Sequence, residues 1–190
     1  MAAAKSLTPE EIQKVLNYIA QHSNPLRNRV MFLCTAQAGM RVGEVAGLTI
    51  ADVRNADGTV KAEIFLAAHR VKHGHARTVY LSSNLQREIA EYIATRRWYV
   101  DDQKLFYTQK SIQRGFTANT MTQHFFWLYK KAGIERGSSH SGRKTFLTSL
   151  ASQGISVFVL ADLAGHKSIA TTQKYVTVNC DMKRKAVELV

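Results

Sequence analysis

Six side chains in this sequence have the types and spacing to act together on a phosphate: Arg41, Lys72, His140, Arg143, His166 and Tyr175. Arg41 follows a glycine break in Ala38-Gly39-Met40-Arg41-Val42-Gly43-Glu44, which can present its guanidinium at a helix start facing a cleft. Glu44 lies three residues on, so it shares that helix face and can orient Arg41. His140-Ser141-Gly142-Arg143 places an imidazole and a guanidinium three apart at another helix start, where backbone N–H groups also favour an anion. Arginine offers planar paired donors to phosphate oxygens, and histidine adds a donor or carries a proton. Leu163-Ala164-Gly165-His166 is followed nine residues later by Tyr175, whose phenolate is a good nucleophile and leaving group for a phosphoryl transfer. Lys72 sits in Arg70-Val71-Lys72-His73-Gly74-His75-Ala76-Arg77, a strand-turn-strand pattern that can reach over a bound duplex and protonate a leaving oxygen. Each piece alone has a plainer reading. An isolated Arg-x-x-Glu is commonly a surface ion pair, a tyrosine a half-buried core ring, and a hairpin lysine a solubilising group.

In this order the pieces resemble the catalytic domain of the tyrosine recombinase (phage integrase) family. They match its arginine in G-x-R-x-x-E, hairpin lysine, H-x-x-R helix, and L-x-G-H followed nine residues on by tyrosine. Arg143-Lys144-Thr145-Phe146 and Ser168-Ile169-Ala170-Thr171-Thr172-Gln173-Lys174-Tyr175 match as well, and the likeness runs from about residue 7 to the C-terminus. The resemblance implies that Arg41 and Arg143 grip a scissile phosphate and that Glu44 supports Arg41. It implies that His140 bonds the phosphate or takes the tyrosine proton, and that His166 stabilises the phosphoryl group. Lys72 would be the general acid and Tyr175 the nucleophile. It further implies double-stranded DNA as partner, a tetramer on DNA, accessory DNA-bending proteins in some systems, no cofactor and no metal.

Two positions depart from the pattern. Gly142 stands where a bulky apolar residue is common, and Lys144 where a histidine is frequent, so a looser helix start is expected there. The usual N-terminal DNA-clamping domain is not represented before residue 7, which fits either a minimal recombinase or a fragment. Binding by one subunit would then be weak and strongly salt-dependent.

The elements that must position these groups follow from caps and periodicity. Thr8-Pro9-Glu10-Glu11 starts a helix to about Ala20, and Asn24-Pro25 a buried one to about Ala38. A short helix spans about Arg41 to Leu48, and strands run over Val60–Ala68 and Thr78–Leu81. Helices are expected from Asn84 to Arg97, Thr120 to Ala132, Gly142 to Gln153, Val157 to Ala164, and Ser168 towards Tyr175. Leu105-Phe106-Tyr107 is a short apolar piece before a loop. The expected fold is α+β, mainly α, with a small antiparallel sheet beside a helical core. Residues 1–6 are expected to be a disordered lead and 7–178 the catalytic domain. Residues 179–190 would be a tail or helix open to exchange with a neighbouring subunit.

Composition supports a polyanionic partner. The 26 Lys and Arg outnumber 14 Asp and Glu, for a net charge of +12. Only Glu135 is acidic between Asp102 and Asp162. Arg70, Arg77, Lys130, Lys131 and Lys144 are the candidate DNA contacts, and Gln123 and His124 join Lys130 and Lys131 on a helix that could enter a major groove. No apolar run reaches the ~18 residues of a membrane span, and Cys34 and Cys180 cannot build a disulfide framework. A cytoplasmic, nucleoid-associated protein is therefore expected. His69, His73 and His75 offer an alternative zinc cluster without a Cys or carboxylate nearby. Two other functions remain open at this point: a DNA-binding regulator without catalysis, and a type IB topoisomerase-like relaxing enzyme.

Overall fold

The computed structural model describes residues 4–70, 76–96, 99–108, 111–176 and 180–188. Lys72, His73 and His75 lie outside the described residues. The architecture is helical, with two small antiparallel sheets.

Helix α1 (Pro9–Ala20) is closed by reciprocal bonds between Thr8 and Glu11, as the sequence predicts, and it buries Val15 and Ile19. Residues 4–6, expected to be free, are instead anchored. Lys5 pairs with Glu11, and Ser6 Oγ lies 2.6 Å from Thr148 Oγ1. Leu7 is buried, and its N–H donates to Thr145 Oγ1.

Helix α2 (Pro25–Gln37) buries five residues in a row, Val30 to Cys34. A continuous buried run on a helix covers every face of that turn, which places it in a core, and α2 packs against α1, α5 (Ser83–Ala94) and α7 (Ser141–Ser152). Gly39 then turns the chain at φ +60°, a left-handed conformation that favours glycine. Two short helices follow, α3 (Val42–Gly47) and α4 (Ile50–Val53), the second capped by Thr49 and not foreseen from the sequence.

Strands β1 (Glu63–Leu66) and β2 (Arg77–Tyr80) pair antiparallel, with Ile64 opposite Val79 and Leu66 opposite Arg77. The first is shorter than expected, because Ala68–Arg70 coil into a 3₁₀ turn, and the second keeps its four residues but starts one earlier. Their alternation sends Ile64, Leu66, Arg77 and Val79 inward and leaves Phe65 and Tyr80 exposed. An inward arginine on a strand needs a polar destination.

Ser82, two residues before the expected Asn84, caps α5; its Oγ accepts from the Leu85 N–H. The apolar piece at 105–107 leads into a second hairpin, β3 (Tyr107–Thr108) with β4 (Ser111–Gly115), where a loop was expected. Helix α6 (Ala118–Lys131) is capped by Thr117 and Thr120 acting on each other. Helices α8 (Val157–Ala164) and α9 (Ile169–Gln173) flank Gly165, whose φ of +59° ends α8 as its residue type implies. Helix α10 (Cys180–Val187) follows, and Val187 on it is exposed. No helix among the described residues is long and apolar enough to cross a membrane.

His124, expected to face a groove, is turned inward. It packs edge-on to Phe116 and Phe125, and its Nε2 is buried without a hydrogen-bond partner. Burial first, then the charge of Arg27, pushes its pKa down to about 4. The folded state thus resists protonation that the unfolded chain accepts near 6.5, so stability is full above about pH 6.5 and falls as pH drops towards 4. His124→Phe should flatten this acid limb, recovering on the order of 2 kcal/mol at pH 4.5 relative to wild type. Urea midpoints at pH 7 and 4.5 measure it; equal acid losses in both proteins would contradict the assignment.

Candidate active site

The site forms where the starts of α3 and α7, strand β2 and the α8–α9 turn meet. Arg41 precedes α3, and its Nη1 donates to Glu44 Oε1 at 2.9 Å. The Arg41 backbone N–H donates to Glu44 Oε2 at 2.8 Å, so the same carboxylate caps the helix and holds the guanidinium. Glu44 is nearly fully buried, which is costly for a carboxylate with one cation. A second cation completes the arrangement: Arg77 Nη2 donates to Glu44 Oε2 at 2.7 Å, with both side chains out of solvent. Burial alone would raise the Glu44 pKa, but the Arg77 bond and charge, aided by Arg41, hold it below the ordinary carboxylate value.

Arg77 reaches further. Its Nη1 donates to the Leu163 carbonyl at 2.6 Å, which ties β2 to the end of α8. Gly165 makes room for it, since a Cβ there would lie 2.6 Å from the Arg77 Cδ. Arg143 makes the parallel clamp from α7. Its Nη1 donates to the Gly39 carbonyl at 2.6 Å and its Nη2 to the Ala164 carbonyl at 2.5 Å. Two guanidiniums thus hold consecutive carbonyls at the α8 terminus. Burial first, then repulsion from Arg41 and Arg77, pushes Arg143 down to about 9, which leaves it charged at neutral pH.

His166 follows directly. Its Nε2 lies 3.1 Å from Arg143 Nη2, and its Nδ1 lies 2.8 Å from Thr172 Oγ1. Desolvation, then the nearby Arg143, Arg41 and Arg77, brings its pKa to about 4. The Tyr175 ring stacks beside it, 6.1 Å between centroids and 19° from parallel. Tyr175 shares a cavity of about 370 Å³ with Ala4, His140, Arg143, Lys144 and Lys174. His140 is exposed at the N-terminus of α7, facing that cavity.

Five of the six residues singled out for chemistry therefore converge, together with Glu44. The sixth, Lys72, lies outside the described residues. Gly142 does not loosen α7 as expected. A Cβ there would collide with Thr35, so glycine lets α7 approach α2 closely.

The candidate DNA contacts separate into distinct roles. Arg77 is buried and committed to Glu44, so it is no surface contact. Arg70 is spent on Asp52 and the Gly47 carbonyl. Lys144 lines the tyrosine cavity. Lys130 and Lys131 are exposed at the end of α6, with Lys130 over the Trp127 ring. Among the described residues no group of three or more metal-ligating side chains assembles.

The model of the phage integrase family matches residues 5–182. The chain belongs to the phage integrase family. It is 29% identical over 187 residues to the tyrosine recombinase XerA of Pyrococcus horikoshii, covering 97% of this chain and 60% of that relative. It thus spans about three fifths of that relative's length. Its fold matches a crystal structure of XerA recombinase with a TM-score of 0.76 at 24% identity, over 100% of this chain and 66% of that one. It also matches XerH site-specific recombinase bound to a palindromic difH substrate in a post-cleavage complex, with a TM-score of 0.73 at 24% identity, over 96% of this chain and 51% of that one. These likenesses establish the mainly helical α+β fold of the family.

Removing the carboxylate between two buried arginines should be severe. Glu44→Gln is expected to cost ~3 kcal/mol, as for other broken buried pairs. Asp52→Asn, which disrupts the more exposed pair with Arg70, should cost about 1 kcal/mol or less. Chemical denaturation of both variants reads the difference, and equal small losses would show that Glu44 is not the electrostatic hub.

Proposed function

We propose that this chain cuts and rejoins DNA strands through a 3′-phosphotyrosine at Tyr175, as a site-specific recombinase. The observation that carries this reading is the convergence of Arg41, Arg143, His166 and Tyr175, with His140, Arg143 and Tyr175 lining one cation-rich cavity.

In-line attack on a phosphodiester spreads negative charge over the non-bridging oxygens, and fixed cationic donors stabilise that charge. Arg41 and Arg143 supply paired donors, already oriented by Glu44 and by the Gly39 and Ala164 carbonyls. The Tyr175 oxygen forms a bond to phosphorus as the bond to the 5′-oxygen breaks. The phenolic proton passes to His140, and Lys72 gives a proton to the departing 5′-oxygen. The phosphotyrosine keeps the energy of the broken linkage, so attack by a 5′-hydroxyl reverses the step without ATP. Four protomers on two sites would pair two duplexes for strand exchange. The surplus of 12 positive charges supports DNA as the partner.

A duplex carrying a nick just downstream of the scissile position, which lets the short piece bearing the new 5′-hydroxyl diffuse away, should trap a protein–DNA adduct resistant to denaturation. Tyr175→Phe should abolish the adduct with the fold unchanged by circular dichroism. DNA binding without any adduct at a mapped recombination site would favour the silent regulator. Relaxation of supercoiled plasmid without site preference would favour the topoisomerase.

A further inference from the structure

His166 has two ring nitrogens with two different partners, and their chemistry fixes its hydrogen. Nε2 faces Arg143 Nη2 at 3.1 Å, and a guanidinium can only donate. Nε2 must therefore hold the lone pair, and the neutral ring carries its hydrogen on Nδ1. That nitrogen is 2.8 Å from Thr172 Oγ1, so the hydroxyl accepts. Thr172 is fully buried in α9, where a hydroxyl needs a partner. Its carbonyl also accepts the Tyr175 N–H at 2.9 Å. One residue thus touches the histidine with its side chain and the tyrosine with its backbone.

We propose that Thr172 is a positioning residue for strand cutting: its hydroxyl accepts the Nδ1–H of His166 and keeps Nε2 turned towards Arg143, where a phosphate oxygen would sit. This rests on the function proposed above. In the free protein Nε2 accepts from Arg143. When a phosphate oxygen takes that guanidinium N–H, Nε2 is released. It then binds a proton from solvent, giving an imidazolium that donates from Nε2 to the oxygen while Nδ1–H stays on Thr172. The added positive charge is balanced by the phosphate's negative charge. The groups bearing on this proton are Arg143 from α7, Arg41 from the start of α3 and Arg77 from β2, all opposing it without a bound anion. Asp162 and Lys167 share the neighbouring cavity of about 730 Å³ with His166, and the Tyr175 ring stacks on it.

Thr172→Val removes the hydroxyl at nearly constant shape, and Thr172→Ser keeps it. Two-bond ¹H–¹⁵N spectra of the free protein at pH 7 should show His166 as the Nδ1–H tautomer in wild type and Thr172→Ser. In Thr172→Val the Nδ1–H has no acceptor, the ring can turn out of its contact with Arg143, and a mixture of the two tautomers should appear. Adduct formation should fall about 10–100-fold in Thr172→Val and stay within about threefold in Thr172→Ser. An Nε2–H tautomer in wild type overturns the proposal whether or not any variant folds. So does a Thr172→Val protein matching wild type in both readouts. No adduct in wild type would sink the strand-cutting reading itself, while the tautomer spectra would still decide whether Thr172 holds His166.

Discussion

Three guanidiniums and an imidazole are held together in this protein around one carboxylate, Glu44. Like charges so close repel, and burial first, then that repulsion, lowers the pKa values of Arg143 and His166. Glu44 offsets it directly for Arg41 and Arg77. The carbonyls of Gly39, Leu163 and Ala164 and the Nε2 of His166 take further N–H groups of Arg77 and Arg143. One carboxylate against three guanidiniums leaves a positive surplus. A site built this way is incomplete without an anion, and a phosphodiester has the charge and geometry to complete it.

The scaffold serves this cluster. Helix α2 runs through the core and ends at the Gly39 turn, which delivers one carbonyl to Arg143 and, two residues later, Arg41 itself. Gly142 brings the first turn of α7 against α2, so the two arginines approach from elements packed on each other. The end of α8 is gripped by Arg77 and Arg143 through adjacent carbonyls, and the chain leaving that grip carries His166 and then Tyr175. The tyrosine is held less tightly than the arginines: it is half-buried beside an open cavity. That suits the nucleophile proposed for the site, which would move onto phosphorus and later leave it.

Much of the site was legible because its chemistry sits in short motifs. Glycine breaks announce Arg41 and His166, and a three-residue step joins His140 to Arg143. Elements with explicit caps, such as α1 and the end of α8, were legible for the same reason. Arg77 was misread because its net charge suggested a surface. The strand's parity held the better signal: Val79 is apolar and inward, so Arg77, two residues away, must also point inward. Thr172 carried a weaker signal, one hydroxyl in a run of small polar residues whose burial only the packing of α9 reveals. Helix α4 and the β3–β4 hairpin are too short for periodicity to register. His124 lies beside outward-facing Gln123, and its burial against Phe116 and Phe125 depends on contacts distant in sequence.

The central claim is that Arg41 works by neutralising charge that develops on a phosphate. It is tested most directly by replacing one non-bridging oxygen at the scissile position with methyl, which makes that linkage uncharged. Arg41→Ala should form adduct on the ordinary duplex about 10²–10³-fold more slowly than wild type, yet come within about tenfold of wild type on the methylphosphonate duplex. An equal loss on both substrates would mean that Arg41 contributes something other than charge, and would contradict the account.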